Sequence, residues 1–228
     1  MSGKVAQGPP SPLGEGTIQP ERLDRFGSVV TMSAQQQWVL EGRVWQVTVG
    51  TLSTPILAGG AGTVIDADQP ELVIDVPGGT VAVICNVRAD AQPGVTATDA
   101  DEFEILLAVD RLAVSGATAT NGVVETPVGF RTNLESGSRC TVVSAVTTNL
   151  GGAPTLSMEL AHPVIIGVVD GTPTSTTYTS MLFLDYDPSI KPYIVGPATI
   201  VLYAGGTVAT DLFASAVWAE FTTQELGL

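Results

Sequence analysis

The chain carries one histidine, two cysteines and 23 acidic residues, so few groupings of its side chains could do chemistry. His162 precedes Pro163, which biases it toward extended backbone. A Ser–His–Asp nucleophile is formally open to a chain with one histidine, yet there is no G-x-S-x-G elbow to present the serine. His162 therefore reads as a structural histidine. The densest carboxylate cluster is Asp99, Asp101, Glu102 and Glu104, in the run DADEFE. Clustered carboxylates on a loop suit Ca²⁺, which takes several oxygen ligands. The EF-hand spacing with its glycine and distal glutamate is missing. A strand beginning near Asp101 would send alternate side chains to opposite faces. The cluster then reads as a solvated acidic rim, and Asp185 and Asp187 around Tyr186 read the same way.

A glycosidase needs two carboxylates set across a cleft. No pair is singled out here, and an aromatic content of 6% is low for a sugar-binding cleft. Cys85 and Cys140 lie in or beside the apolar runs VAVICNV and SRCTVV and read as buried free thiols. Two cysteines cannot by themselves complete a tetrahedral zinc site. GGAG at 59–62 and Gly205-Gly206 match neither phosphate-binding glycine pattern and read as loop glycines. The expectation is a protein with no catalytic residue, metal or cofactor, and not an enzyme.

The elements that would position these residues are strands. The composition is 44% hydrophobic and 14% charged, against roughly a quarter charged in ordinary domains. That argues against disorder. It leaves a surface thinly protected by charge, which suits burial against copies of the same chain. The net charge is −14. In residues 1–25, Lys4, Arg22 and Arg25 balance Glu15, Glu21 and Asp24, so the whole excess sits on the body. Such a body repels nucleic acid and anionic membranes alike. No apolar stretch follows Lys4 as in a secretory signal, and no run of 18 apolar residues exists. The sequence thus predicts no membrane or nucleic-acid partner, and a chain made in the cytoplasm and released by lysis if at all.

Residues 1–25 read as an extended arm; four prolines and four glycines fall in the first 20, with Leu13 and Ile18 as apolar anchors. Residues 26–228 read as one β body. Strands are expected at Val29–Ser33, Trp38–Glu41 and Val44–Val49, with Thr51–Leu57 at an edge. Glu71–Val76 and Thr80–Arg88 read as a hairpin joined by Pro77-Gly78-Gly79. Glu102–Val109, Arg111–Val114, Cys140–Thr148, Thr155–His162, Val164–Val169, Tyr178–Asp185 and Thr199–Ala204 are further strands. Val123–Phe130 is an edge segment, because Pro127 lacks a ladder donor. In the last strand, Asp211–Thr223, Val217, Ala219 and Phe221 share one face and Trp218 and Glu220 the other. Turns between short strands, without a long helix, predict an all-β antiparallel β-sandwich. The length favours a jelly roll over an immunoglobulin-like domain; two tandem sandwiches split near residue 120 or 150 are the alternative.

The segment QPERLDRFGSVVTMSAQQQWVLEGRVWQV, residues 19–47 of 228, resembles a block in structural proteins of tailed-bacteriophage virions. The matching positions are Leu23, Arg25, Gly27, Val29, Val30, Ala34, Trp38, Glu41, Arg43, Val44 and Trp45. Gln35-Gln36-Gln37 stands where such proteins often carry His-Gly before the aromatic residue. The resemblance implies a capsid decoration, or cement, protein on the outer head surface. It implies a homotrimer whose partner is the major capsid protein, with Leu13, Ile18, Leu23, Arg25 and Phe26 in the arm and junction making contacts. Other readings are a different virion module (a head fibre base, a minor tail protein or a host-glycan-binding protein) or a β-sandwich hydrolase. The first would show exposed aromatics clustered in a cleft, the second His162 and carboxylates converging in a pocket.

Overall fold

A computed structural model describes residues 4–5, 22–23, 33–50, 54–57, 60–61, 65–93, 100–111, 122–132, 137–146, 155–168, 182–206 and 210–228. In chain order the elements are β1 (Lys4–Val5), β2 (Arg22–Leu23), α1 (Ala34–Leu40), β3 (Val44–Val49), β4 (Ile56–Leu57) and β5 (Gly60–Ala61). Then come β6 (Leu72–Val76), β7 (Thr80–Pro93), β8 (Ala100–Asp110), β9 (Val123–Glu125), β10 (Val128–Gly129) and β11 (Thr141–Ser144). The chain finishes with β12 (Leu156–Ala161), β13 (Val164–Val168), β14 (Leu182–Tyr186), β15 (Tyr193–Val195), β16 (Ala198–Gly206) and β17 (Thr210–Thr222). Among the described residues no helix is long and apolar enough to cross a membrane.

Two sheets pack face to face. Sheet I runs β10-β3-β17-β7-β14, with β4 also on β17 and β15 also on β7. Sheet II runs β12-β8-β16-β6-β11-β9, with β13 also on β8 and β5 also on β16. Pairing in both sheets is antiparallel except for β5 on β16. With β12–β13 and β14–β15 each counted as one interrupted strand, the principal strands are β3, β6, β7, β8, β12–β13, β14–β15, β16 and β17. Sheet I takes the first, eighth, third and sixth of them, and sheet II the second, seventh, fourth and fifth. That is jelly-roll connectivity. The first principal strand pairs with the last, Val44 opposite Ala219, so the body is one sandwich and not two in tandem.

The core follows strand alternation. From sheet I, Val47 and Val49 of β3 and Leu212, Ala214, Ala216 and Trp218 of β17 point inward. They meet Leu72, Ile74, Ile105, Leu107, Ile200 and Leu202 of sheet II. In β7 the alternation slips: Ile84 and Val87 both face the core, three residues apart. The cause is a bulge at Cys85, since Ile84 and Asn86 pair with the consecutive residues Trp218 and Val217. The outer faces are partly covered too. On sheet II, Ile65 packs over a second cluster that includes Val73, Leu106 and Tyr203. The Tyr203 hydroxyl donates to the Ala67 carbonyl at 2.9 Å and fastens that covering turn.

The glycines read as loop residues are in part strand: Gly60 of β5 pairs with Gly205 of β16, and Ala61 with Gly206. Two further expectations are corrected. Trp38–Glu41 is not a strand but the end of helix α1. Ser33 and Gln36 form a capping box: the Ser33 hydroxyl accepts from the Gln36 amide and the Gln36 side chain accepts from the Ser33 amide, both at 3.2 Å. Gly42, at φ 75°, then stops the helix. Its amide donates to Val39 O and that of Arg43 to Trp38 O, the pair of bonds of a Schellman motif. Trp and Val suggested a strand; here they cover the outer face of sheet I over Val44, Val83 and Ala219. Secondly, β6 and β7 are not a hairpin, because they belong to different sheets. The Pro77–Thr80 turn closes as expected, with the Thr80 amide donating to Pro77 O at 3.1 Å and Gly79 at φ 80°. It makes a corner between sheets instead of a fold within one.

Gly196 seats itself against that corner. Its amide donates to Thr80 O at 2.9 Å, and a Cβ there would lie 2.1 Å from Pro77 O and 2.5 Å from Val76 O. Neither backbone atom can move without opening the corner. Gly196→Ala is expected to destabilise the fold by about 3 kcal/mol. Gly137→Ala, whose Cβ would meet nothing within 4 Å, is expected to stay within about 0.5 kcal/mol of wild type. Urea unfolding followed by tryptophan fluorescence checks both; equal midpoints would refute the corner argument.

Candidate functional site

The residues able to do chemistry are held in structural pairs. His162 sits in the break between β12 and β13, with Nε2 2.8 Å from Glu104 Oε2 and Nδ1 3.8 Å from Glu159 Oε1. Of the acidic cluster, Asp101, Glu102 and Glu104 lie on strand β8, as expected, and Asp99 lies outside the described residues. Among the described residues no group of three or more His, Cys, Asp or Glu side chains could hold a metal ion. Asp185 accepts from Asn86 Nδ2 at 3.0 Å and from Arg88 Nε at 3.1 Å. Those hydrogen bonds, Asn86 first, hold its carboxyl below the usual range. Asp187 bonds Lys191, whose Nζ also donates to Cys85 O at 2.7 Å.

Both cysteines are free thiols. Cys85 is half-buried at the β7 bulge, and burial pushes its thiol up. Cys140 is buried beside a carboxylate. Burial first, and the Glu220 charge second, push its thiol far above the ordinary value. At Cys85 burial outweighs the nearby Lys191 ammonium, which acts the other way, and Cys140 has a carboxylate beside it instead of a cation.

Glu220 is the least expected of the charged residues. Strand alternation on β17 turns it inward with Trp218, and it is 7% exposed. A buried carboxylate costs several kcal/mol unless donors surround it. Four do so here: Trp218 Nε1 at 2.8 Å, the Arg139 amide at 2.8 Å, the Cys140 amide at 3.4 Å and the Ser138 hydroxyl. Glu220 thus fastens the end of β17 in sheet I to the approach to β11 in sheet II.

A second lock closes the same end of the sandwich. Arg43, between α1 and β3, bonds Glu41 at 2.6 Å and grips both carboxylate oxygens of Glu225 at 2.9 and 3.1 Å. Its guanidinium lies 5.0 Å from the centre of the Phe221 ring, and Trp38 of α1 meets that ring edge-on at 5.3 Å. The Arg43 hydrogen bonds first, then the Thr222 amide, hold the Glu225 carboxyl down to about 2. The C-terminal turn is therefore tied to the segment through which residues 1–32 enter the body. Four positions of the segment 19–47, Trp38, Glu41, Arg43 and Val44, take part in this lock or pack beneath it. Trp45 points the other way, into the main core.

The remaining candidate surfaces are the sandwich edges. On one side, β9 and β10 are the last strands of sheets II and I. Thr126-Pro127 carries the chain from one sheet to the other, so Val123–Phe130 is an edge segment as expected. Val123, Val124, Val128 and Phe130 are exposed there, Val124 to 75%. On the opposite side, Leu156 and Val164 of sheet II and Phe183, Tyr193 and Val195 of sheet I are exposed. Between these two strand sets opens a cleft of about 470 Å³. Val109, Met158 and Ile194 form its floor, and Arg111, Tyr193 and Val195 stand at its mouth.

Of the contact residues expected from the sequence, Leu13, Ile18, Arg25 and Phe26 lie outside the described residues. Leu23 is in β2, which pairs parallel with β1, Leu23 opposite Val5. The residues that sequence reasoning missed are Arg43 as a lock, Glu220 as an internal brace and the apolar edge residues. Glu220 carried a signal, a charge in phase with Trp218; exposed valines at an edge carried none. No protein-family model matches the chain, and no curated protein matches it.

Glu220→Ala leaves the buried indole and two backbone amides without an acceptor, so a loss of about 3 kcal/mol in urea unfolding is expected. An unchanged midpoint would show that Glu220 braces nothing. Glu225 gives a pH signature. Its folded-state pKa lies below the ordinary value of 4.5, so its contribution is present above that pH and is lost as pH falls toward about 2. Glu225→Gln should therefore lower the thermal midpoint at pH 7 and bring the two proteins together near pH 2. Parallel midpoint curves over that range would count against the lock.

Proposed function

We infer that the chain is a structural protein of a tailed-phage virion, a decoration protein that binds the outer head surface and bridges coat subunits. The observation that carries this reading is the lock around Arg43. The phage-like block is built as an anchor: α1 is capped at both ends, its Trp38 and Val39 cover sheet I, and Arg43 ties it to the last strand's tail. An arm attached there would pass tension into β17, the central strand of sheet I, and not into a peripheral loop. That suits a protein whose work is mechanical.

Other features support it. The apolar edges provide surfaces for association with copies of the chain, in keeping with a homotrimer. The net charge of −14 suits the outside of a shell, away from packaged nucleic acid. The major capsid protein is the partner this reading requires. A glycan-binding module would gain from several aromatics in the cleft, and Tyr193 is the one aromatic that lines it. A sandwich hydrolase would gain from His162 facing a pocket; His162 lines neither this cleft nor the smaller pocket around Arg43 and Glu220.

Deleting residues 1–25 is expected to leave a folded body, with a thermal transition close to wild type, that no longer co-sediments with capsids. Full decoration of capsids by the truncated protein would refute the arm's role. Failure of the intact protein to bind capsids would refute the reading as a whole.

A further inference from the structure

We propose that the cleft between β8–β12 and β15 binds a small amphipathic carboxylate, its charged end on Arg111 and its apolar tail on the floor. This site is independent of the capsid role inferred above. The ends of two strands shape it. Alternation on β8 keeps Leu107 and Val109 on the inner face and turns Ala108 and Asp110 to the outer one. Arg111 therefore follows Val109 toward the space between the sheets, and it lines the cleft. A bulge holds it there. Ser157 is the extra residue of β12, since Leu156 and Met158 pair with the neighbours Asp110 and Val109. Its hydroxyl donates to Val109 O at 3.0 Å and accepts from the Arg111 amide at 2.9 Å. The same shift sets Met158 opposite Val109, so that it joins Val109 and Ile194 in the floor.

Charge selects the ligand. Arg43, Arg88 and Lys191 each meet a carboxylate. Among the described residues no carboxylate or carbonyl engages the Arg111 guanidinium. The acid excess of the body does not neutralise it. Asp110 is turned to the outer face and is 1% exposed. Glu159 pairs with Ala108 and lies 3.8 Å from His162. Asp185 is bonded to Arg88 and Asp187 to Lys191. Asp101, Glu102 and Glu104 lie seven or more residues along β8 from Arg111, and Asp90 lies seven along β7 from Val83, the partner of Tyr193. At about 3.3 Å per residue these carboxylates are roughly 20 Å or more from the cleft. That exceeds the Debye length of about 8 Å at physiological salt. One guanidinium fits one carboxylate as a bidentate pair, and a cation finds no counter-charge beside it. The volume of about 470 Å³ falls within the range of roughly 300–1,000 Å³ for small-ligand sites.

Octanoate is the probe, titrated by calorimetry into the full chain, with octanol and octyltrimethylammonium as neutral and cationic controls. Wild type should bind one octanoate, about tenfold or more tighter than either control. Arg111→Gln should weaken octanoate by about tenfold or more and leave octanol unchanged. Val195→Asp, which sets a carboxylate at the mouth, should remove octanoate binding. Both side chains are exposed, so both variants should keep the wild-type thermal transition. If either loses it, Arg111→Met or Tyr193→Asp takes its place. No octanoate bound by wild type, binding undiminished in either variant, or the cation bound as tightly as the anion would overturn the site.

Discussion

The pairing of β17 with β7 and β3 is the constraint on which the rest of the structure depends. The final strand lies between the first principal strand and the third, matched to β7 from Thr222–Thr80 to Thr210–Pro93. Sheet I therefore has no continuous middle until the last residues of the chain are in place. Every contact of β17 with β3 closes a loop of well over a hundred residues, the kind of non-local pairing that makes β-sandwiches slow to fold. The core depends on it in turn, because Leu212, Ala214, Ala216 and Trp218 are the inner face of that strand. The two polar fasteners at its far end, Glu220 and the Arg43–Glu225 pair, secure the part that would otherwise fray.

Those fasteners differ in kind. Glu220 is buried, and removing a donor or the carboxylate leaves uncompensated polar groups inside, so its worth is large and insensitive to salt. Arg43 and Glu225 are partly exposed, 23% and 43% at their side chains, and exposed ion pairs are worth little on their own. Bidentate geometry, the Phe221 ring beside the guanidinium and the packed Trp38 give this one more weight than an isolated surface pair. The two act in series: Glu220 holds the strand to sheet II, and Arg43 holds the C-terminal turn beyond the strand to the segment leading into β3.

The sequence made much of this legible, and the reasons for the rest are physical. Alternation in VWAEF placed Trp218 and Glu220 together on one face, and packing made it the inner one. Pro127 marked an edge. Chain length and the lack of helical periodicity led to a jelly roll, and the strand order agrees. Pro77-Gly78-Gly79 misled because the same turn chemistry serves a hairpin and a corner between sheets. Which one forms depends on which faces are buried, and β6 and β7 are apolar on both. Helix α1 was readable from Ser33 and Gln36 and from Gly42, but it is too short to show a period, and Trp38 and Val39 favoured a strand. The Cys85 bulge left no mark beyond a phase slip between Ile84 and Val87. The contact residues were harder. An apolar residue destined for an exposed edge looks like one destined for the core, and Val124 and Val73 differ only in what the fold puts over them.

The distribution of titratable groups bears on the kind of work the body does. A reactive site needs groups whose pKa values are set apart and which face a space where substrate can sit. Here Glu104 is taken up by His162, Asp187 by Lys191, Asp185 by Asn86 and Arg88, Glu225 by Arg43 and Glu220 by four donors. Each pair joins segments far apart in the chain or closes a turn, and the 470 Å³ cleft has an apolar floor with Arg111 as its charged group. Among the described residues, these charges are spent on bracing, and several apolar groups are left exposed at the edges. Under the reading proposed above, tension on the arm would reach the central strand of sheet I through Arg43 and Glu225, and the brace at Glu220 would share it with sheet II.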